Sequence, residues 1–466
     1  MEQIQKRGRT DNLKIVLVGG GSYGWTHVFI TDIANTPALK GSHIILQDIN
    51  PEPLKIIVPL CQKISHELKA DLKIEGATNL DSALMGADFV GLTISTGGGW
   101  ADNLDIEIPL RHGVLQLVGD TVGPGGWSRA LRNIPVVTDI IRKVEKIAPN
   151  AWFMNYSNPM TILTKTLHKV SPVRSMGICH ELQGFLLHAA YFLGIDWQKD
   201  ITLSLAGINH LVWLLSMDTC GKDGLALLKD YARDPKNFQP IGPLGIDEEL
   251  IHGGGVAPSQ KVKFDLWERC GFLSAAGDSH IAEFFSHYLR NEAEAKRWGF
   301  LNSGMKAHTF ARSGDRESRK KDCEAMLHGR TPLYLKHSHE HADRIIAALS
   351  GKGAPLLTSL NRPNFGQVDN LPRGAVLETM VYLDGNGIQP LAVGNLPDVI
   401  TQYLMRHIPN QEMITEAGLT GNRELAIRAL MNDPLIPDPD TAVKIADDFF
   451  KEFREWLPQF YGKWRC

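Results

Sequence analysis

The stretch that most narrows what this chain can fold into is Lys14-Ile15-Val16-Leu17-Val18-Gly19-Gly20-Gly21-Ser22-Tyr23-Gly24. A β-branched apolar run breaks into G-x-G-x-x-G and then into a helical pattern. The hexamer alone is a weak signal, because glycine turns are common. Between a strand and a helix, with Asp48 closing the next strand, it fits the first βαβ unit of a dinucleotide-binding sheet. Gly19 is expected to form the tight turn, Gly21 to let the backbone approach a pyrophosphate, and Gly24 to permit close helix packing. Ser22 and Tyr23 share that loop, and the helix start offers free N–H groups and a positive dipole to phosphates. Asp48 would bond the adenosine ribose hydroxyls. Its carboxylate repels a 2′-phosphate, and Ile49-Asn50 supplies no arginine, so NAD is expected rather than NADP. A second glycine-rich loop, Ser95-Thr96-Gly97-Gly98-Gly99, ends a later strand. There Ser95 and Thr96 reach the pyrophosphate or nicotinamide ribose, or the loop is a plain turn.

Strands are predicted at Leu13–Val18, His43–Gln47, Ala87–Ser95, Ala151–Tyr156 and Val173–Cys179, with helices over Thr26–Ala38, Pro51–Leu68 and Ser128–Ile147. This alternation means parallel βαβ units with right-handed crossovers. Beyond about residue 195 it loosens. Ile201–Leu205, Leu211–Met217 and Val376–Leu383 read as strands, and Asp278–Gly299, Gln389–His407 and Arg423–Met431 as helices. The expected fold is α/β: a Rossmann-type doubly wound parallel sheet over residues 1–195, with a larger α+β catalytic, substrate and oligomerisation domain over 196–466. No repeat or low-complexity linker separates the halves, so they are expected to pack as one unit.

Of the 466 residues, 43% are hydrophobic and 22% charged, ordinary for a globular protein. A net charge of -3 gives no basic field for nucleic acid or a membrane surface. No apolar run approaches the roughly 20 residues of a spanning helix. Met1–Leu13 is polar and is expected to be a loose tail, not a secretory signal. Six cysteines without paired spacing suggest a reduced, cytoplasmic protein.

Cys179-His180-Glu181-Leu182 comes directly off an apolar strand, and Gly207-Ile208-Asn209-His210 lies downstream. A thiolate and an imidazole from separate elements suit a borderline divalent metal, leaving positions for substrate oxygens. A buried cysteine and a core histidine are the commoner reading of such a pair.

Taken together, these segments resemble glycoside hydrolase family 4. Its glycine-rich motif, Asn-Pro motif, Cys-centred tetrapeptide and G-x-N-H segment occur here in order as Gly19–Gly24, Asn158-Pro159, Cys179–Leu182 and Gly207–His210. The tract Gly119–Gly126 and the segments Asn361–Gly366 and Asn370–Pro372 extend the likeness over nearly the whole chain. The resemblance implies a fold like lactate and malate dehydrogenases, with NAD and a divalent metal, often manganese, as cofactors. It also implies a homodimer or homotetramer acting on a small-molecule glycoside. In such enzymes C3 of the sugar is transiently oxidised, C2 is deprotonated, the aglycone is eliminated and water adds, outside the two-carboxylate scheme.

By resemblance Cys179 and His210 hold the metal and Asp120 assists the leaving group. Asn158 binds a sugar hydroxyl, Asn155 a sugar or cofactor group, and His180 and Glu181 face the sugar. The family's C2 base is a tyrosine. Phe284 or Phe285 stands in its place, which leaves Tyr288 in a shifted register or His280, histidine being suited to proton transfer near neutral pH. Cys-His-Glu-Leu is closest to the Cys-His-Glu-Val of the family's α-galacturonidase type, so α-galacturonides are expected, with α-glucuronides or neutral α-galactosides and α-glucosides as alternatives. A C6 carboxylate beside Glu181 needs a cation, for which Arg111, His112, Arg129 and Arg312 are candidates. The competing classes are a 2-hydroxy-acid dehydrogenase and a non-catalytic NAD-binding sensor.

Overall fold

The computed structural model describes residues 12–233, 260–300, 306–338, 340–464 and 466, with side chains left out for 306–315. The first eleven residues of the expected tail lie outside them. Six parallel strands come first: β1 (Lys14–Val18), β2 (His43–Gln47), β3 (Lys73–Ala77), β4 (Phe89–Leu92), β5 (Trp152–Asn155) and β6 (Ser175–Gly177). Their spatial order is β3-β2-β1-β4-β5-β6, the doubly wound dinucleotide-binding order. The sheet does not stop at β6. It continues through β10 (Leu356–Pro363), β11 (Val376–Asp384), β7 (Ile201–Ile208), β8 (Leu211–Thr219) and β9 (Lys222–Asp223), with β12 (Gly387–Pro390) on β11. The junction is antiparallel, Asn361 of β10 pairing with Gly177 of β6.

The period-two alternation of a strand explains the two cores. Val16, Val18, Val90 and Leu92 face one apolar cluster, whereas Ile15, Leu17 and Phe89 face the other. Both faces are buried, so the strands read as unbroken apolar runs. On the first face, helix Gly123–Ile147 packs beside Met160–Val170 and the C-terminal helices Asp398–Thr420 and Pro439–Glu452. Trp127 meets Phe449 and Phe450 there, and its indole N–H donates to Ala426 O at 2.7 Å. The C-terminal end of the chain thus completes the core of the N-terminal sheet.

Several predicted elements differ. The first helix ends at Asn35, because Pro37 starts a separate 3-10 turn. Helix Gly123–Ile147 begins five residues before the predicted Ser128, with Pro124 in its first turn. β3 was missed because this edge strand buries Ile74 between exposed neighbours. β10 was also missed. Gln389–His407 is not a helix throughout: β12 and an extended segment with Gly394 and Pro397 precede helix Asp398–Thr420. Asp278–Gly299 is three short pieces: helices Asp278–Ala282 and Glu292–Arg297 with a 3-10 turn Ser286–Tyr288 between them. Phe284 packs on His407 and Phe285 on Tyr403, and this tertiary packing overrides the helical pattern.

Candidate active site

β1, β4, β5 and β6 all end at one edge of the sheet, and the loops that follow them carry the candidate residues, as ligand sites do in open α/β folds. Gly19 has φ +87°, and a Cβ there would lie 2.0 Å from Thr93 O. Gly19 N and Gly20 N donate to Gln47 O at 2.9 and 2.8 Å, tying the loop to the end of β2. A Cβ on Gly21 would lie 2.7 Å from Asp48 Oδ2, which accepts from Gly21 N at 3.0 Å, and Asp48 Oδ1 accepts from Asn50 N at 2.9 Å. Gly24 does not serve helix packing as expected. Its missing Cβ makes room for the Arg319 guanidinium, 2.2 Å from where that atom would sit. The Ser22 carbonyl accepts from Thr26 N at 3.3 Å. The Tyr23 side chain packs into the apolar core, so only its backbone belongs to the loop.

The Ser95–Gly99 loop is held from behind. Ser95 Oγ donates to Asp102 at 2.8 Å and accepts from Arg129 at 2.9 Å. Thr96 N donates to Asn133 at 3.0 Å and Thr96 O accepts from Arg132 Nε at 3.1 Å. Asn155 is fully buried, and its carboxamide bonds Ser157 N and O within the turn that leads to the cis Asn158-Pro159 bond. It shapes the loop from inside, contrary to the ligand contact expected of it.

Asp120, His210 and His280 come together with ligand atoms all within 4.8 Å of one another. Glu283 presents Asp120: its buried carboxylate accepts from Leu117 N, Val118 N and Gly119 N at 2.7, 2.6 and 3.0 Å. Burial lifts this carboxyl to about 7 despite those bonds. Asp120 Oδ2 accepts from Asn158 at 3.1 Å, and Oδ1 accepts from the Thr121 hydroxyl at 2.7 Å. The same hydroxyl lies 2.7 Å from His210 Nδ1. Its one proton goes to Asp120, so it accepts from His210 Nδ1–H and leaves Nε2 with a free lone pair, as for a metal ligand. His210 sits in the two-residue hairpin between β7 and β8 with φ +65°. That strain for a non-glycine residue is typical of functional sites. Burial and the neighbouring His280 push its pKa down to about 4.

His280 packs on His210, ring centroids 3.8 Å apart and planes tilted by 34°. Its Nδ1 is 3.8 Å from Asp120 and its Nε2 3.6 Å from Glu181 Oε1. Glu181 Oε2 accepts from Gly277 N at 2.8 Å. Burial works to raise this carboxyl, but His280, His210 and His180 outweigh it and the net shift is downward. His180 is half exposed, 3.8 Å from Glu340.

Cys179 is not part of the trio. It bonds the Asn209 side chain, and burial with the charges of Glu378 and Glu181 pushes the thiol well up. Asn209 in turn bonds Glu378 at 3.3 Å, and Glu378 also accepts from Ser359 and Asn361 at 2.9 and 3.1 Å. Tyr288 is buried away from this cluster. Its hydroxyl donates to Asp265 at 2.8 Å and its ring packs edge-on to Trp298. The break after Ala282 turns it into the core, so it is not placed for the base role.

Among the predicted cations, Arg111 pairs with Glu107 and His112 with Asp448. Arg129 stands behind Ser95, 3.0 Å from Asp102. Arg312 lies outside the described side chains. Sequence reasoning missed Thr121, Glu283, Arg319 and Glu378. Thr121 lay within the recognised Gly119–Gly126 tract, but the other three carry no local signature.

The chain as a whole has relatives among known proteins. Residues 14–194 match the family 4 glycosyl hydrolases, and residues 205–436 match the family 4 glycosyl hydrolase C-terminal domain. An α-galacturonidase of Thermoanaerobacterium saccharolyticum is 32% identical, covering 98% of each chain. A putative glucosidase of Bacillus subtilis, known from its crystal structure, superposes with a TM-score of 0.85 at 33% identity, covering 94% of this chain and all of that one. A 6-phospho-α-glucosidase from gut microorganisms, solved in complex with NAD and Mn2+, superposes with a TM-score of 0.81 at 21% identity, over 96% of this chain and 100% of that one, and so shows the fold alone. With both halves matched and a near full-length relative above 30% identity, the chain belongs to glycosyl hydrolase family 4.

Proposed function

We propose that this enzyme hydrolyses α-galacturonides, such as short pectin-derived oligogalacturonides, with NAD and a divalent metal, manganese in the first instance. The observation that carries the reading is the convergence of Asp120, His210 and His280. The Cys-His-Glu-Leu tetrapeptide and the α-galacturonidase relative support the choice of sugar.

The residues suit both cofactors. The loop at Gly19–Gly24 admits no Cβ at Gly21, opens directly onto helix Thr26–Asn35, and has Arg319 beside it and Asp48 at the end of β2. His210 keeps a free Nε2, and the Cys179 thiol, held protonated by burial and carboxylates, becomes a thiolate where a borderline cation offsets that charge. Cys179 and His210 would hold the metal. When bound, NAD supplies reversible oxidation at sugar C3 and the metal a Lewis acid that acidifies C2–H.

The chain's own groups supply the rest. His280 is the C2 base: its ring is held between Asp120 and Glu181, the partners that steady an imidazolium after it takes the proton. The proton that His280 takes from C2 passes through Asp120, 3.8 Å from its Nδ1, to the departing aglycone oxygen. Thr121 and Asn158 fix the two oxygens of Asp120, and Glu283 fixes the turn that carries it. Asn158 and Glu181 bond sugar hydroxyls, with His180 at the rim. Six free cysteines fit a reducing, cytoplasmic setting. Among the described residues no helix is long and apolar enough to cross a membrane. Homodimer or homotetramer assembly belongs to the same proposal and is read by sedimentation.

The test is a panel of α-galacturonide, α-glucuronide and α-galactoside assayed with NAD, Mn2+ and a thiol reductant. Galacturonide is expected to be preferred, without net NADH, with deuterium entering C2 of the product from deuterated water. Net NADH would indicate a dehydrogenase, binding of NAD without turnover a sensor, and preference for the neutral galactoside would refute the uronide assignment.

A further inference from the structure

Lys263 is the buried cation of the described site region for which no carboxylate is in ion-pair contact. Only 4% of the residue is exposed. It lies in the first turn of helix Lys261–Cys270, against the Glu181 helix. Its Nζ stands 5.6 Å from the centre of the Phe185 ring, one helical turn beyond Glu181. The nearby acids are committed elsewhere. Asp278 spends both oxygens on Val262 N and Lys263 N at 2.9 and 3.0 Å. Glu181 accepts from Gly277 N and faces His280. Asp278 and Glu181 therefore act on the ammonium only as charges at a distance, and burial still pulls its pKa below the usual lysine range. His188, a further turn along the Glu181 helix, is pushed down to about 4 by burial and by Lys263.

A buried ammonium without a contacting counter-charge is costly. Folding tolerates it where a ligand brings the missing charge. Arg129 is the contrasting case: it too is buried in the site, but Asp102 already lies 3.0 Å away.

We propose that Lys263 receives the C6 carboxylate of the sugar and is the residue that selects uronides over neutral glycosides. The proposal rests on the uronide reading above. A carboxylate arriving beside Phe185 completes the pair that folding leaves open. A neutral hydroxymethyl group leaves the charge unmatched, which is how a polar site rejects the analogue that lacks the partner group. Glu181 is then free to bond hydroxyls, since the repulsion it would exert on the carboxylate is offset by Lys263.

The experiment compares wild type, Lys263→Met and Lys263→Arg on an α-galacturonide and the α-galactoside of the same aglycone, with NAD, Mn2+ and reductant, and measures binding of free galacturonate and of NAD calorimetrically. In Lys263→Met the ratio of kcat/KM for uronide over galactoside is expected to fall about 100- to 1000-fold. Galacturonate affinity should fall with it while NAD affinity stays at the wild-type value. Lys263→Arg, which keeps the charge but not the shape, should lower the ratio by roughly tenfold. If Lys263→Met fails to bind NAD and so is misfolded, the Arg variant decides. An unchanged ratio, or a parallel loss on both sugars, overturns the assignment of Lys263. A wild type that prefers the galactoside overturns the uronide reading itself, before any variant is compared.

Discussion

Arg132 ties the two helices that frame the candidate cofactor loop, and replacing it with Met should be expensive in a measurable way. The guanidinium is fully buried and meets Asp105 with Nη1 and Nη2 at 2.7 and 2.8 Å. It also bonds Thr96 O and Ser128 Oγ and stacks 4.2 Å over the Phe453 ring. Methionine fills similar space but strands the Asp105 carboxylate, and breaking one partner out of a buried pair costs about 3–5 kcal/mol. Against a total stability of roughly 5–15 kcal/mol that is a large fraction. With a urea slope of about 3 kcal/mol/M, the midpoint should drop by somewhat over 1 M. The loss should depend on pH. Burial lifts the Asp105 carboxyl above the usual range, and Arg132 pulls it back down. A raised carboxyl contributes stability only while protonated, below its unfolded pKa of about 3.9, and loses it as pH rises toward the folded value. Without Arg132 that folded value climbs further. The gap between variant and wild type should therefore widen from acid toward neutral pH, by up to about 1.4 kcal/mol per pH unit. The Arg132→Met/Asp105→Leu double variant should recover most of the loss. NAD affinity should weaken about tenfold in the single variant, because Thr96 O loses its donor. A single variant within about 1 kcal/mol of wild type at pH 7.5, or a double variant no better than the single, would refute the reasoning.

Three further outcomes follow from the site and its surroundings. His280→Gln should lower kcat by roughly 100- to 10,000-fold with little change in KM, whereas Tyr288→Phe should keep kcat and lose only about 1 kcal/mol with its Asp265 bond; the opposite ranking would return the base role to the tyrosine. Cys179→Ser should weaken Mn2+ binding at least about tenfold by direct titration, and unchanged affinity would remove the cysteine from the metal set. His337, with Nε2 2.9 Å from Asp343 and Nδ1 3.7 Å from Asp32, would be lowered by burial alone, but the two carboxylates lift it to about 9. Its stabilising effect is thus complete below about pH 6.5 and lost as pH climbs to 9. Urea stability of the wild type should fall by about 2 kcal/mol across that window after allowing for partial exposure, and a profile identical to that of His337→Gln would defeat the argument.

What the sequence made legible was what local physics encodes. Apolar runs buried on both faces identified β1, β2, β4, β5 and β6, and the glycine spacing placed the cofactor loop, because both depend on residues near each other in the chain. Asp120, Cys179 and His210, the proposed acid and metal ligands, stand out by motif, since each sits in a turn whose backbone demands are written locally: a glycine tract, a strand end, a hairpin. The proposed base was not legible, because weighing His280 against Tyr288 required knowing that the chain breaks after Ala282. That break comes from contacts with Tyr403 and His407, more than a hundred residues away. Lys263 shows the same limit more sharply. Lys261-Val262-Lys263-Phe264-Asp265 reads as the charged flank of a surface helix. What makes Lys263 unusual is what lies opposite it, Phe185 beneath its ammonium and no carboxylate within reach of a pair. A charge pattern along the chain reports how many cations a helix carries, but only the fold decides which of them is left for a ligand to neutralise.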